Sequence, residues 1–137
     1  MALTAAALVA FLVPGSKSRP VEWRALSVGP LRITYQQRRL FRDRQQLGSF
    51  LAQTGARRVP KIDFSSRQLL LLSTGARSSS GYAIDVVGAT EKEGGITVEV
   101  RERSPGVGEQ VDPHVTYPYR LISLPAGKDV FVDWTGR

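Results

Sequence analysis

Over much of the chain beyond position 61, apolar and polar residues alternate with a period of two, the pattern of strands with one face in a core. Ile84 and Val86 follow Tyr82 on one side of such a strand, with Ala83, Asp85 and Val87 between them. Ile96, Val98 and Val100 alternate with Thr97, Glu99 and Arg101, and Gly94-Gly95 supplies the turn between the two strands. Leu69 to Leu72 is instead a continuous apolar run, suited to a strand buried on both faces. Further strands are expected over Tyr119 to Leu124 and over Val130 to Trp134, the latter with Val130, Val132 and Trp134 on one face.

The first half reads differently. Val21 to Val28 and the alternating Leu31-Arg32-Ile33-Thr34-Tyr35 are expected to be strands. A helix of about residues 43–54 follows. Asp43 is a good N-cap, Gln46 stands three residues on as in a capping box, and Gly55 is placed to end the element. Leu47, Phe50 and Leu51 fall on one face of it. Strands joined by short turns favour a mainly β fold, an antiparallel sheet or sandwich-like single domain carrying one short helix. That domain is expected over residues 21–137.

Ahead of it, Ala2 to Val13 is apolar except for Thr4, and Pro14-Gly15-Ser16 and Lys17 follow. The run suits the apolar stretch of a secretory signal and is too short to span a bilayer. Residues 1–16 are therefore read as a signal-like or truncated signal segment, with only Met1 ahead of the run. The expected location is extracytoplasmic, secreted or in the cell envelope.

Charge and cysteine content narrow the classes. The 137 residues contain no cysteine, which excludes disulfides, thiolate nucleophiles and Cys-based zinc sites. The net charge of +7 is unevenly spread, with twelve Lys/Arg against Glu22, Asp43 and Asp63 between Lys17 and Arg67. That half fits an acidic surface on a partner. Nucleic acid is disfavoured, because neither stacking aromatics on a β face nor a recognition-helix pattern accompanies the charge.

Candidate chemistry is sparse. His114 is the sole histidine, in the loop sequence Val111-Asp112-Pro113-His114, and no serine lies in a Gly-x-Ser-x-Gly elbow. Gly106-Val107-Gly108 lacks the third glycine and following helix of a phosphate loop. A non-enzymatic chain without metal or cofactor is expected. The segment Arg77-Ser78-Ser79-Ser80-Gly81-Tyr82 stands out between two strands, as a loop on a rigid scaffold. Its hydroxyls offer adaptable hydrogen bonds and Tyr82 a large amphipathic ring, although Tyr82 equally suits a core position.

The order of several short pieces resembles a known family. They are Ile62-Asp63-Phe64-Ser65, Leu69 to Leu72, Thr74-Gly75-Ala76, Ser79-Ser80-Gly81-Tyr82, Val98-Glu99-Val100, Ser104-Pro105-Gly106 and Thr116-Tyr117-Pro118-Tyr119. From about Lys61 to Trp134 the chain is similar to the C-terminal domain of the protease complex subunit PrcB family of bacterial envelope proteins. The resemblance implies a β-rich binding domain, whose partner would be a protein such as a secreted protease. It transfers residue by residue to Gly81, Tyr82, Pro118 and Tyr119, while Ser79-Ser80 replaces the family's usual Thr-Gly. A weaker likeness links Ser79-Ser80-Gly81-Tyr82 to the Thr-Thr-Gly-Tyr-like loop of chagasin-type protease inhibitors, whose Arg-Pro-Trp-like loop has no counterpart here. The expected partner-binding residues are thus Arg77, Ser78, Ser79, Ser80, Gly81, Tyr82, Pro118 and Tyr119. Pro105–Pro113 and Tyr117 are expected beside them.

Overall fold

A computed structural model describes residues 18–136, so the signal-like segment 1–16 lies outside the described residues. Among the described residues, eight strands and one helix follow in the order β1 (Arg19–Pro20), β2 (Arg24–Leu26), β3 (Gln36–Phe41), α1 (Arg44–Gln53), β4 (Arg67–Thr74), β5 (Ala83–Lys92), β6 (Gly95–Arg103), β7 (Tyr119–Pro125) and β8 (Asp129–Gly136). They form two four-stranded sheets. Sheet A has the order β1-β5-β6-β8 and sheet B the order β2-β7-β4-β3.

The apolar run of β4 explains the layering. Leu69 and Leu71 point to one side of sheet B, where Leu47, Phe50 and Leu51 of α1 cover them together with Val28, Leu31 and Ile33. Leu70 and Leu72 point to the other side, against Ile96, Val98 and Val100 of β6 and Ile84 of β5. A strand in the wall between two cores has no solvent face, hence no alternation. Val130, Val132 and Trp134 of β8 close the second core as expected.

α1 is capped as its sequence predicts. The Asp43 carboxylate accepts a hydrogen bond from the Gln46 N–H at 2.8 Å, satisfying one free amide of the first turn. The β5–β6 turn centres on Glu93 and Gly94, one residue earlier than Gly94-Gly95. Both have positive φ, 54° and 80°, which suits the twist of a two-residue hairpin.

Two expectations need correction. Leu31 to Tyr35 is not a strand: Leu31 and Ile33 are buried as the alternation requires, but the Arg32 N–H donates to the Thr54 carbonyl at the end of α1. The segment is thus a strap across the helix end, and the paired strand is the more polar Gln36–Phe41 beside it. Within Val21 to Val28 only Arg24–Leu26 pairs as a strand. The sheets are antiparallel throughout except that β8 runs parallel to β6. β3 and β8 are edge strands, and Arg38 of β3 links the two sheets. Its guanidinium donates to the Val132 carbonyl of β8 at 3.4 Å and lies 5.6 Å from the Trp134 ring.

Candidate protein-binding site

The chain leaves β4 at Thr74, crosses the end of the sandwich as the 75–82 loop, and enters β5 at Ala83. The 104–118 segment, between β6 and β7, runs beside it as an arm. Backbone hydrogen bonds join the two. Arg77 and Thr116 exchange both N–H···O bonds at 2.8 and 2.9 Å, and the Ser80 N–H donates to the Asp112 carbonyl. Side chains reinforce the seam, for the Asp112 N–H donates to Ser80 Oγ and the Thr116 hydroxyl to the Ser79 carbonyl, each at 2.8 Å.

Beneath the seam lies a buried ion pair. Glu102 of β6 points into the sandwich with its side chain only 3% exposed, and Arg77 grips both oxygens at 2.7 and 3.0 Å. This fork is the strong form of a charge-assisted hydrogen bond. The hydrogen bond to Glu102 raises the Arg77 pKa above its ordinary value, outweighing partial burial. The guanidinium also lies 5.9 Å from the Tyr82 ring, an arrangement that holds the ring beside the loop.

Gly81 is required where it stands. Its φ is +96°, and a Cβ there would come within 2.8 Å of the Pro105 ring and 3.1 Å of Val111. The missing side chain lets the arm close against the loop.

The structure therefore brings together Arg77 to Tyr82 and the 105–113 segment, as expected, but gives many of these groups local work. The Ser79 hydroxyl donates to the Ser80 carbonyl, and Ser80 Oγ accepts from the arm. Pro118 offers its carbonyl to the Thr74 N–H. Tyr119 faces the other core: its hydroxyl donates to the Gly29 carbonyl at 2.6 Å, pinning the strap that crosses α1. Ser78 is exposed, and Tyr82 is half-buried with its ring beside Arg77. Across the seam, Val107 is fully exposed at the arm's tip and Val115 is 54% exposed. Val107 lies within the expected 105–113 segment, whereas Val115 falls outside every expected site residue. The signal at Val107 was an apolar residue held between two glycines, which a loop has no folding reason to contain.

His114 is exposed, and among the described residues its ring makes no hydrogen bond to Ser78, Ser79 or Ser80. Among the same residues no group of three or more His, Asp or Glu side chains is arranged to hold a metal ion.

Comparison with known proteins bears on this same region. Residues 69–125 match the family model described as PrcB C-terminal. This stretch is PrcB C-terminal-like. It begins in β4 and ends with β7, so the loop, the β5–β6 hairpin and the arm all fall inside the PrcB C-terminal-like segment. The likeness to chagasin-type inhibitors gains nothing from that match. No curated protein and no solved structure matches the chain.

Proposed function

We propose that the chain is a non-enzymatic, extracytoplasmic protein-binding domain that serves as an accessory or stabilising subunit of a secreted or envelope protease complex. The observation that carries this reading is the coincidence of the PrcB C-terminal match with a loop-and-arm pair fixed by hydrogen bonds. That pair exposes Ser78, Val107 and Val115 and leaves Tyr82 half-exposed on a fixed frame, and pre-organised loops bind without a large ordering cost. Arg77, Ser79, Ser80, Gly81 and Pro118 contribute by holding the frame, whereas Tyr119 serves the α1-side core. The signal-like segment 1–16 supports export.

The test is affinity capture of the tagged chain from an envelope extract, followed by mass spectrometry. Near-equal recovery of one protease, lost in Tyr82→Ala and Val107→Ser variants that still fold, is the expected result. Capture of no protease, or capture unchanged in both variants, would overturn the assignment. Stoichiometric loss of the captured protease's activity would identify an inhibitor in place of an accessory subunit.

A further inference from the structure

The outer face of sheet A carries a second feature, independent of the loop and of the protease reading. β5 pairs regularly with β6 as far as Val86 opposite Val100, and the register resumes at Gly88 opposite Glu99. Val87 is the extra residue of this bulge and stands 47% exposed. Gly88 leaves the floor beside it open, since a Cβ there would meet nothing within 4 Å. The chain entering from β1 walls the same place with Val21 and Trp23. A cleft of about 470 Å³ results, apolar on the Trp23 and Val87 side and closed at the other end by Glu99 and Asp133.

Those two carboxylates are exposed neighbours in register across the β6–β8 pair. Three other acids of sheet A are met by cations, Asp85 by Arg103, Glu102 by Arg77, and Glu91 by both Arg19 and Lys128, while Asp129 at the start of β8 has no ion pair among the described residues. Glu99 and Asp133 have no ion-pair partner among the described residues. Arg101, the nearest cation along β6, lays its stem near Gly136. Like charges side by side on a sheet repel, and no ion pair among the described residues offsets that repulsion. The outer edge of β5 pairs with no strand from Ala83 to Val87: β1 pairs only with Thr90 and Glu91, Val21 bonds to the Ala89 carbonyl, and Arg120 of β7 donates to the Ile84 carbonyl at 2.7 Å, which leaves Asp85 to Val87 for a partner strand.

We propose that this cleft binds an arginine or lysine side chain of an extended polypeptide partner. The methylene stem lies along Val87 and Trp23, and the cationic head sits between Glu99 and Asp133. The peptide backbone runs beside the free edge of β5. An amphipathic cation matches both halves of the cleft, apolar wall and paired carboxylates, as a neutral or purely apolar side chain does not. Strand addition supplies the main-chain contacts and the cleft supplies side-chain selectivity.

The experiment is an NMR titration of the isotope-labelled full chain with a blocked hexapeptide carrying one central arginine, alongside the same peptide with citrulline in its place. Saturable shifts at Val87, Gly88, Thr97, Asp133 and the Trp23 indole are expected, with at least about tenfold weaker binding of the citrulline peptide. The same weakening is expected for the arginine peptide on the Glu99→Gln, Asp133→Asn double variant, whose exposed sites leave folding intact. Failure of the arginine peptide to shift these signals would overturn the proposal, as would equal binding of citrulline or shifts confined to other surfaces. Cleft shifts that grow with protein concentration in the absence of peptide would also overturn it, by assigning the cleft to a second copy of the chain.

Discussion

Replacing Arg77 by Met removes the only cation among the described residues that meets Glu102 and leaves a carboxylate at 3% exposure without that counter-charge. Removing one member of a buried pair typically costs about 3–5 kcal/mol, because the remaining charge has lost both water and partner. The Arg77 side chain is 22% exposed, so water reaches the gap once it is gone, and about 2–3 kcal/mol is the expected loss here. For a domain of this length that corresponds to a fall in Tm of roughly 6–12 °C. Urea unfolding of the wild type, Arg77→Met, Glu102→Leu and the double variant measures it. The double variant is expected to be more stable than Arg77→Met alone, since an apolar pair carries no stranded charge. A loss below about 0.5 kcal/mol in Arg77→Met, or a coupling near zero in the cycle, would refute the claim that this pair anchors the loop.

Gly81→Ala places a Cβ at positive φ and 2.8 Å from the Pro105 ring, with an expected cost of about 2–3 kcal/mol. Gly94→Ala also sits at positive φ but meets nothing within 4 Å, so chemical denaturation should show about half that loss. On acidification, Asp63 and Glu91 both titrate below their ordinary values of 3.8 and 4.5 in the fold. Hydrogen bonds from Ser65 hold down Asp63, and the Lys128 ammonium holds down Glu91. A carboxylate with a depressed folded pKa binds its proton more readily in the unfolded chain. Its stabilisation is therefore complete above those ordinary values and is lost as pH falls through the folded pKa. Thermal melts between pH 6 and pH 2 should show that decline, shallower in an Asp63→Asn, Lys128→Met variant.

Much of the fold was legible because its strands obey a simple period. Ile96, Val98 and Val100 are all fully buried where their alternation places them, and the Leu69–Leu72 run is the wall between two cores. The Asp43 cap was equally plain, since capping is a local contact between residues three apart. Leu31 to Tyr35 misled because alternation reports burial and says nothing of the partner: the backbone of Arg32 bonds to the helix end. β3 was hidden for the opposite reason, an edge strand whose Gln36, Arg38 and Arg39 remain exposed. At the candidate site, the sequence showed hydroxyl groups but not that Ser79 and Ser80 spend them on the fold. The parallel pairing of β8, and with it the meeting of Glu99 and Asp133, depends on contacts remote along the chain that no local pattern encodes.

The Arg38 bridge between β3 and β8 has a consequence for solubility. One edge of each sheet, β8 and β3, lies on this flank of the sandwich, where unpaired main-chain groups would template the addition of strands from other molecules. An arginine that already occupies the Val132 carbonyl and covers Trp134 makes that flank a poor template, charged and partly satisfied. The residue that joins the two layers thereby also keeps neighbouring molecules from stacking sheet edge to sheet edge.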